Sequence, residues 1–99
     1  MVYTFREQAV RRITLGHVAG IISRVTQAQR KQLVRLLVKA REGAGLSQRE
    51  LAKRLRWPLT TIARVETLER RLEVVEFLLW CDALDVSPET LLRALRRQR

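Results

Sequence analysis

Residues 47–66 read SQRELAKRLRWPLTTIARVE and contain clear local signals for where helices begin and end. Ser47 and Glu50 have the spacing of a capping box, in which each side chain accepts a hydrogen bond from the other residue's amide at a helix start. Pro58 cannot continue that helix but suits the first turn of a new one. Ala52 is small enough to let the two helices cross closely. Apolar residues at helical spacing fill the angle between them: Leu51, Leu55, Ile62 and Val65. The stretch therefore predicts a helix-turn-helix.

Three further helices are predicted around this pair. Thr26 and Gln29 have capping-box spacing, and the helix that they open ends near Gly43 and Gly45, because glycine readily adopts the positive φ of a helix end. Its apolar stripe consists of Leu33, Leu36, Leu37 and Ala40. Another helix is predicted over residues 72–84. Four of its residues are expected on the buried face: Val74, Phe77, Leu78 and Cys81.

The last predicted helix opens at Ser87-Pro88-Glu89, which read as cap, first residue and dipole-complementing acid. It carries Leu91, Leu92 and Leu95. The predicted architecture is therefore all-α, with five helices. We divide the chain into a basic N-terminal extension over residues 1–25, the helix-turn-helix domain over 26–95 and a basic tail over 96–99. The extension combines features of helix and of extended structure, and both remain open.

Composition excludes several classes of protein. A chain of 99 residues fits one domain, and its 46% apolar content argues against disorder. No apolar stretch approaches the roughly 20 residues of a membrane span, and the N-terminus does not resemble a secretory signal. A single cysteine forms no internal disulfide, which suits a reducing compartment. We therefore expect a cytoplasmic protein.

Charge is strongly positive and unevenly distributed. The net charge of +10 predicts a polyanionic partner, most often nucleic acid. Residues 46–64 carry +4, whereas residues 65–89 carry −5. A body with one cationic and one anionic side would orient itself on a phosphate backbone. The alternative interpretation is that these charges are solvated helix faces.

Four segments occur in family order: AGLSQRELAKRL, TTIARVE, ERRLEVVEFLLWCDAL and VSPETLL. With them, residues 33–95 resemble the Cro/phage-repressor (Xre-like) helix-turn-helix family. The resemblance implies a lambda-repressor-like, five-helix domain whose third helix lies in the major groove of double-stranded DNA. Its members usually act as two-fold dimers on a palindromic operator. We accordingly expect a sequence-specific transcriptional regulator, and specifically a repressor that acts as a homodimer.

Carried over by position, the resemblance implies four base contacts: Gln48, Leu59, Thr60 and Arg64. Arg64 would bind guanine O6 and N7 as a bidentate pair, and Leu59 or the Thr60 methyl would meet a thymine methyl. Five residues would fix position on the phosphates: Ser47, Arg49, Thr61, Arg70 and Arg71. Alternative roles remain open for three residues. Leu59 would then be a semi-buried packing residue, and Arg49 and Arg70 free surface arginines.

The chain departs from the family at three turns that usually hold glycine. Arg56, Leu68 and Asp85 occupy these positions, and a positive φ would cost each of them roughly 1 kcal/mol. We therefore expect the turns to relax away from that conformation. Trp57 is a further departure, and we interpret it as a hydrophobic plug in the turn. The alternative is that Trp57 and Leu59 are exposed as a protein-binding hot spot.

Enzymatic chemistry finds no support in the sequence. His17 has no second histidine with which to form a metal pair, and Cys81 lies on an apolar stripe where a structural thiol is expected. We therefore predict no catalytic residue, no metal site and no cofactor.

The rival prediction is a protein-binding regulator on the same fold, either an antitoxin or an antiactivator that sequesters a partner protein. The terminal arginines would act as a phosphate tether or simply as a soluble end.

Overall fold

The computed structural model describes residues 19–97, which form five α-helices and no strand. The helices are α1 (Ala19–Gly43), α2 (Gln48–Leu55), α3 (Leu59–Glu66), α4 (Val74–Leu84) and α5 (Pro88–Arg97). The all-α, five-helix prediction is thus confirmed. Most of the predicted N-terminal extension, with His17, and the end of the basic tail lie outside the described residues. None of the described helices is long and apolar enough to cross a bilayer.

Helix α1 begins well before the predicted start. It is already helical at Ala19, so the predicted cap at Thr26 is wrong. A Thr–Gln pair at i and i+3 also fits a helix interior, and no proline precedes it to stop the helix. The other end agrees with the sequence, because Gly45 has a φ of 74°. The amide of Leu46 there donates to the Arg41 carbonyl at 3.1 Å.

Helices α2 and α3 form the predicted helix-turn-helix. Both hydrogen bonds of the Ser47–Glu50 capping box are present. Pro58 precedes α3 in an extended conformation, at φ −60° and ψ 144°. The residues that hold the two helices together are fully or almost fully buried: Leu51, Ala52, Ile62 and Val65. Burial of a large aliphatic side chain contributes about 1.5–3 kcal/mol, so this contact fixes the angle at which α3 leaves the domain.

The three turns without glycine keep the left-handed conformation. Arg56, Leu68 and Asp85 have φ values of 58°, 69° and 57°, so the expected relaxation is wrong. In each turn at least two amides bond back to the end of the preceding helix. At the first turn, Trp57 N donates to Ala52 O at 3.0 Å and Arg56 N to Lys53 O at 3.2 Å. These bonds satisfy carbonyls that would otherwise lack partners, which offsets the strain of a non-glycine residue.

The buried face of α4 differs from the prediction. Phe77 and Cys81 are buried as expected, but Trp80 and Leu84 complete the face. Val74 is 74% exposed and Leu78 is 43% exposed, so their predicted burial is wrong. The sequence VVEFLLWCDAL is apolar almost all round and therefore gives little periodicity to read. The bulky Trp80, which is fully buried, sets which side of the helix faces the core.

Four apolar side chains of α4 consequently lie at the surface. We call Val74, Val75, Leu78 and Leu79 the α4 apolar face; their exposed fractions are 74%, 65%, 43% and 46%.

Helix α5 follows the predicted Ser87 cap, whose hydroxyl oxygen accepts a bond from Thr90 N at 3.4 Å. Of its three leucines, Leu91 is buried, Leu95 is half-buried and Leu92 is exposed.

Candidate nucleic-acid interface

The outer surface of α3 is polar and cationic. Thr60 and Arg64 are exposed one turn apart, on the side opposite the buried Ile62 and Val65. Thr61 is half-buried beside them. No described residue forms an ion pair or a hydrogen bond with the Arg64 guanidinium. The structure therefore leaves the predicted base-contact residues Thr60 and Arg64 accessible to a partner.

The only acid of α3, Glu66, is turned inward. Its carboxylate accepts a bidentate pair from Arg41, with Nε at 2.7 Å and Nη2 at 3.1 Å. The side chains of this ion pair are only 12% and 6% exposed. Arg41 also donates to the Leu46 carbonyl at 2.7 Å. The exposed part of α3 therefore carries positive charge alone.

Gln48 belongs to the same network. Its amide nitrogen donates to Glu66 Oε1 at 2.8 Å, which links the first residue of α2 to the last residue of α3. The side chain is half-buried. One N–H of its Nε2 atom is thus engaged within the protein, and the amide oxygen and the second N–H are left for the predicted DNA contact.

The start of α2 has its own internal bonds. Ser47 Oγ accepts from Glu50 N at 3.0 Å, and Glu50 Oε1 accepts from Ser47 N at 2.9 Å. The bond from the Ser47 amide holds the pKa of Glu50 below its usual value, with help from the Ser47 hydroxyl. A phosphate at this helix start would therefore meet the exposed Arg49 side chain and would compete with Glu50 for the hydroxyl proton of Ser47.

Arg70 and Arg71 differ although they are neighbours. Arg70 is paired with Glu76 through two bonds, of 3.1 Å and 2.8 Å, and it also donates to the Arg71 carbonyl. The hydrogen bonds that Arg70 donates to Glu76 raise the pKa of Arg70 and lower the pKa of Glu76. Arg71 is exposed, and no acidic side chain among residues 19–97 pairs with it. Arg71 is therefore the more available of the two predicted phosphate contacts.

The apolar residues at and just before the start of α3 face partly toward the core. Trp57 and Leu59 are both half-buried and pack against the core cluster. The Trp57 ring meets Trp80 edge-on, with centroids 6.1 Å apart and an interplanar angle of 65°. These contacts favour the plug interpretation of Trp57 and the packing role of Leu59. The predicted thymine contact then falls mainly to the methyl group of the exposed Thr60.

Sequence reasoning missed the Arg41–Glu66 pair. The two residues are 25 positions apart, and an arginine near a helix end is usually interpreted as a solvated charge. No feature of a single sequence distinguishes this pair from the many other possible Arg–Glu combinations. Only the crossing of α1 and α3 brings the two side chains together.

The described residues contain no cluster of three side chains suited to a metal ion. Cys81 is fully buried, and burial raises the pKa of its thiol to about 11. A thiol with such a pKa is almost entirely protonated at neutral pH and is a poor nucleophile. The described residues therefore point to binding: the surface of α2 and α3 offers the hydrogen-bond donors and the positive charge described above.

Comparisons with known proteins agree with this geometry. A family model described as helix-turn-helix matches residues 37–91, which include all of α2, α3 and α4. Among solved structures, an XRE-family like protein from Pseudomonas syringae pv. tomato str. DC3000 is similar at a TM-score of 0.78 and 35% identity. That match covers 81% of this chain and 98% of the other. No curated protein matches the sequence.

Proposed function

The chain belongs to the Xre-like helix-turn-helix family and has the fold of a DNA-binding regulator, and on that premise we propose that it reads one sequence of double-stranded DNA. In this proposal α3 enters the major groove, and the protein represses transcription in the cytoplasm as a homodimer. Its function is binding, with no catalytic step.

The observation that carries the proposal is the exposed surface of α3. Thr60 and Arg64 point away from the core, and Glu66 is neutralised by Arg41. A helix that enters the major groove must present donors and must not present acids to the phosphates on either side. The unpaired guanidinium of Arg64 is suited to a bidentate bond with guanine. The Thr60 methyl and hydroxyl are suited to an adjacent thymine or adenine.

Phosphate contacts on either side of α3 would fix its position. Ser47 and Arg49 lie at the start of α2, Thr61 lies on α3 and Arg71 lies in the segment that follows α3. Arg70 would contribute less, because Glu76 already neutralises most of its charge. Each uncompensated arginine that neutralises a phosphate adds to the salt dependence of binding without reading sequence.

Dimerisation is supported by the α4 apolar face. Contiguous apolar side chains at the surface of a small protein commonly mark a protein contact. The leucines of α5 provide less support, because Leu91 and Leu95 are buried or half-buried in the protomer itself. We therefore assign the homodimer contact to α4, with the exposed Leu92 of α5 as a second contribution.

The same face favours the second candidate function, a regulator that holds a different protein. An antitoxin or antiactivator could bind its partner through Val75 and Leu79 without using α3 at all. The two candidates differ in what α3 does, because only the DNA-binding function requires Thr60 and Arg64 to be accessible.

Selection from a random pool of duplexes, followed by footprinting, tests the proposal. We expect one enriched motif whose two half-sites form an inverted repeat, with centres about 10 base pairs apart, as a dimer on one face of DNA requires. Enrichment of no motif, together with capture of no duplex at low salt, would contradict DNA reading and favour the protein-binding candidate.

A further inference from the structure

An apolar groove lies between α1 and the segment that joins α3 to α4. Its volume is about 130 Å³. Five aliphatic side chains from α1, α3 and the joining segment line it: Leu33, Val34, Leu37, Val65 and Leu72. Three arginines complete the lining: Arg30, Arg70 and Arg71. The groove is thus mostly apolar, and three arginine side chains contribute to its lining.

The size of the groove limits what it can hold. An apolar protein cavity of about 150 Å³ accommodates benzene, so a space of about 130 Å³ suits a single ring or a short branched chain. Leu37 and Val65 in its wall are almost fully buried, with exposed fractions of 1% each. They belong to the core and provide a preformed surface rather than one that must be assembled on binding.

The charge of the groove is not fully compensated. Arg70 is paired with Glu76, but among residues 19–97 Arg30 donates only to neutral oxygens, those of Gln27 at 3.2 Å and of the Leu68 carbonyl at 3.5 Å. Arg71 is exposed and has no acidic partner among residues 19–97. Two positive charges therefore remain beside an apolar space, which is complementary to a molecule with an apolar body and one negative group.

We propose that this groove binds a small amphipathic carboxylate of about the size of benzoate. The apolar body packs against Leu37 and Val65, and the carboxylate pairs with Arg71 and Arg30. The second part of the proposal rests on the DNA-binding function proposed above. Because Arg71 is one of the phosphate contacts there, a bound carboxylate weakens DNA binding, and by linkage DNA weakens carboxylate binding to the same extent.

Titration of the full chain with benzoate, followed by methyl NMR spectra, tests the site without DNA. We expect saturable shifts confined to the methyl groups of Leu33, Val34, Leu37, Val65 and Leu72. Benzyl alcohol, which keeps the ring and lacks the charge, should bind about tenfold or more weakly, since it cannot form the charge-assisted bonds to the arginines. Acetate, which keeps the charge and lacks the ring, should produce no saturable shift.

Two variants locate the ligand. Val34→Phe fills the groove and should abolish the benzoate shifts, whereas Thr90→Phe at an exposed position of α5 should leave them unchanged. Arg71→Gln should weaken benzoate about tenfold and leave benzyl alcohol unaffected, which keeps the test decisive if Val34→Phe does not fold. Unchanged groove methyl groups, or equal affinity for benzoate and benzyl alcohol, would overturn the proposed site. So would shifts of the groove methyl groups that appear in the absence of benzoate as the protein concentration rises, because a second copy would then occupy the groove rather than the α4 apolar face.

The regulatory part has a separate readout. With a selected operator duplex, saturating benzoate should weaken binding several-fold, and the Val34→Phe protein should be insensitive to benzoate. Equal operator affinity with and without benzoate, at a concentration that saturates the groove, would overturn the coupling. If no duplex is bound even without benzoate, the DNA-binding function fails, while the NMR titration still decides whether the carboxylate site exists.

Discussion

Helices α3 and α4 are both short and pack against the same core, yet they present opposite surfaces. Outside its buried residues, α3 exposes Thr60 and Arg64 and hides its acid. Helix α4 exposes the four aliphatic residues of its apolar face. A polar, cationic surface suits the edges of bases and phosphates, whereas an aliphatic surface suits another protein surface. In the proposed function these two surfaces serve two different partners, with α3 facing DNA and α4 facing another protein surface.

The largest expected effect concerns how α3 is held. Glu66→Ala leaves the guanidinium of Arg41 almost buried without its partner, so we expect a loss of about 3–5 kcal/mol in the free energy of unfolding. Asp82→Ala, which removes an exposed acid from α4, should change it by less than about 0.5 kcal/mol. Urea denaturation followed by circular dichroism measures both values.

A double variant distinguishes a lost charge pair from a lost contact. Arg41→Met with Glu66→Leu removes both charges and retains much of the packing, so it should be considerably more stable than Glu66→Ala alone. A double variant as unstable as the single one would show that α3 is positioned by hydrogen-bond geometry, including the Gln48 bond, rather than by charge compensation.

The next effect concerns what α3 reads. Arg64→Ala should cost about 1–3 kcal/mol in binding to the selected operator and little in binding to random duplex, because a base contact is lost. Arg93→Ala on α5 is the matched control, since it removes an exposed arginine from outside the helix-turn-helix. Fluorescence anisotropy with both duplexes measures the change. Equal losses on operator and random DNA would reassign Arg64 to phosphate binding.

The α4 surface is expected to respond differently. Val75→Glu and Leu79→Glu place acids on exposed positions, so the fold should persist while self-association weakens about tenfold or more, which corresponds to about 1.4 kcal/mol. Leu92→Glu tests the smaller contribution that we assign to α5. Sedimentation equilibrium measures the dimer constant. Unaltered dimers in both α4 variants would remove this face from the dimer contact.

The smallest expected change in stability concerns Leu68, in the segment that joins α3 to α4. Leu68 has a φ of 69°, where a residue with a Cβ atom is strained. Leu68→Gly relieves that strain but makes the unfolded chain more flexible, so we expect a net gain of only about 0.5–1 kcal/mol. Thermal unfolding of the variant and its parent measures this gain. A clear loss of stability would indicate that the half-buried Leu68 side chain contributes more than its backbone costs.

The sequence predicted the features that depend on local chemistry. The capping box at Ser47 and the break at Pro58 determine the ends of α2 and α3 through neighbouring atoms, and both were found as expected. The predicted helix start at Thr26 was wrong, because a Thr–Gln pair at i and i+3 occurs inside helices as well as at their starts. The three turns without glycine were expected to relax because the sequence shows only the strain of each residue: Arg56, Leu68 and Asp85. It does not show the hydrogen bonds from the turn amides to the end of the preceding helix, which hold the left-handed conformation.

The exposed and buried sides of α4 depend on tertiary packing. Nearly every residue of α4 is apolar, so the pattern alone could not decide between Val74 and Trp80 for the core. At the candidate site, the sequence suggested Arg64 and Arg70 alike as contacts with DNA. Only the fold separates them, because it brings Glu76 to Arg70 and leaves Arg64 without an acidic partner among residues 19–97.

The most direct test of the account compares binding to the selected operator and to random duplex across a salt series. We predict that operator affinity falls with a log–log slope of about −3 or steeper, at about −0.9 for each phosphate neutralised. The preference over random duplex should remain about a thousandfold or more in the parent protein and should shrink in Arg64→Ala. A weak salt dependence combined with equal affinity for both duplexes would contradict the claim that α3 reads DNA.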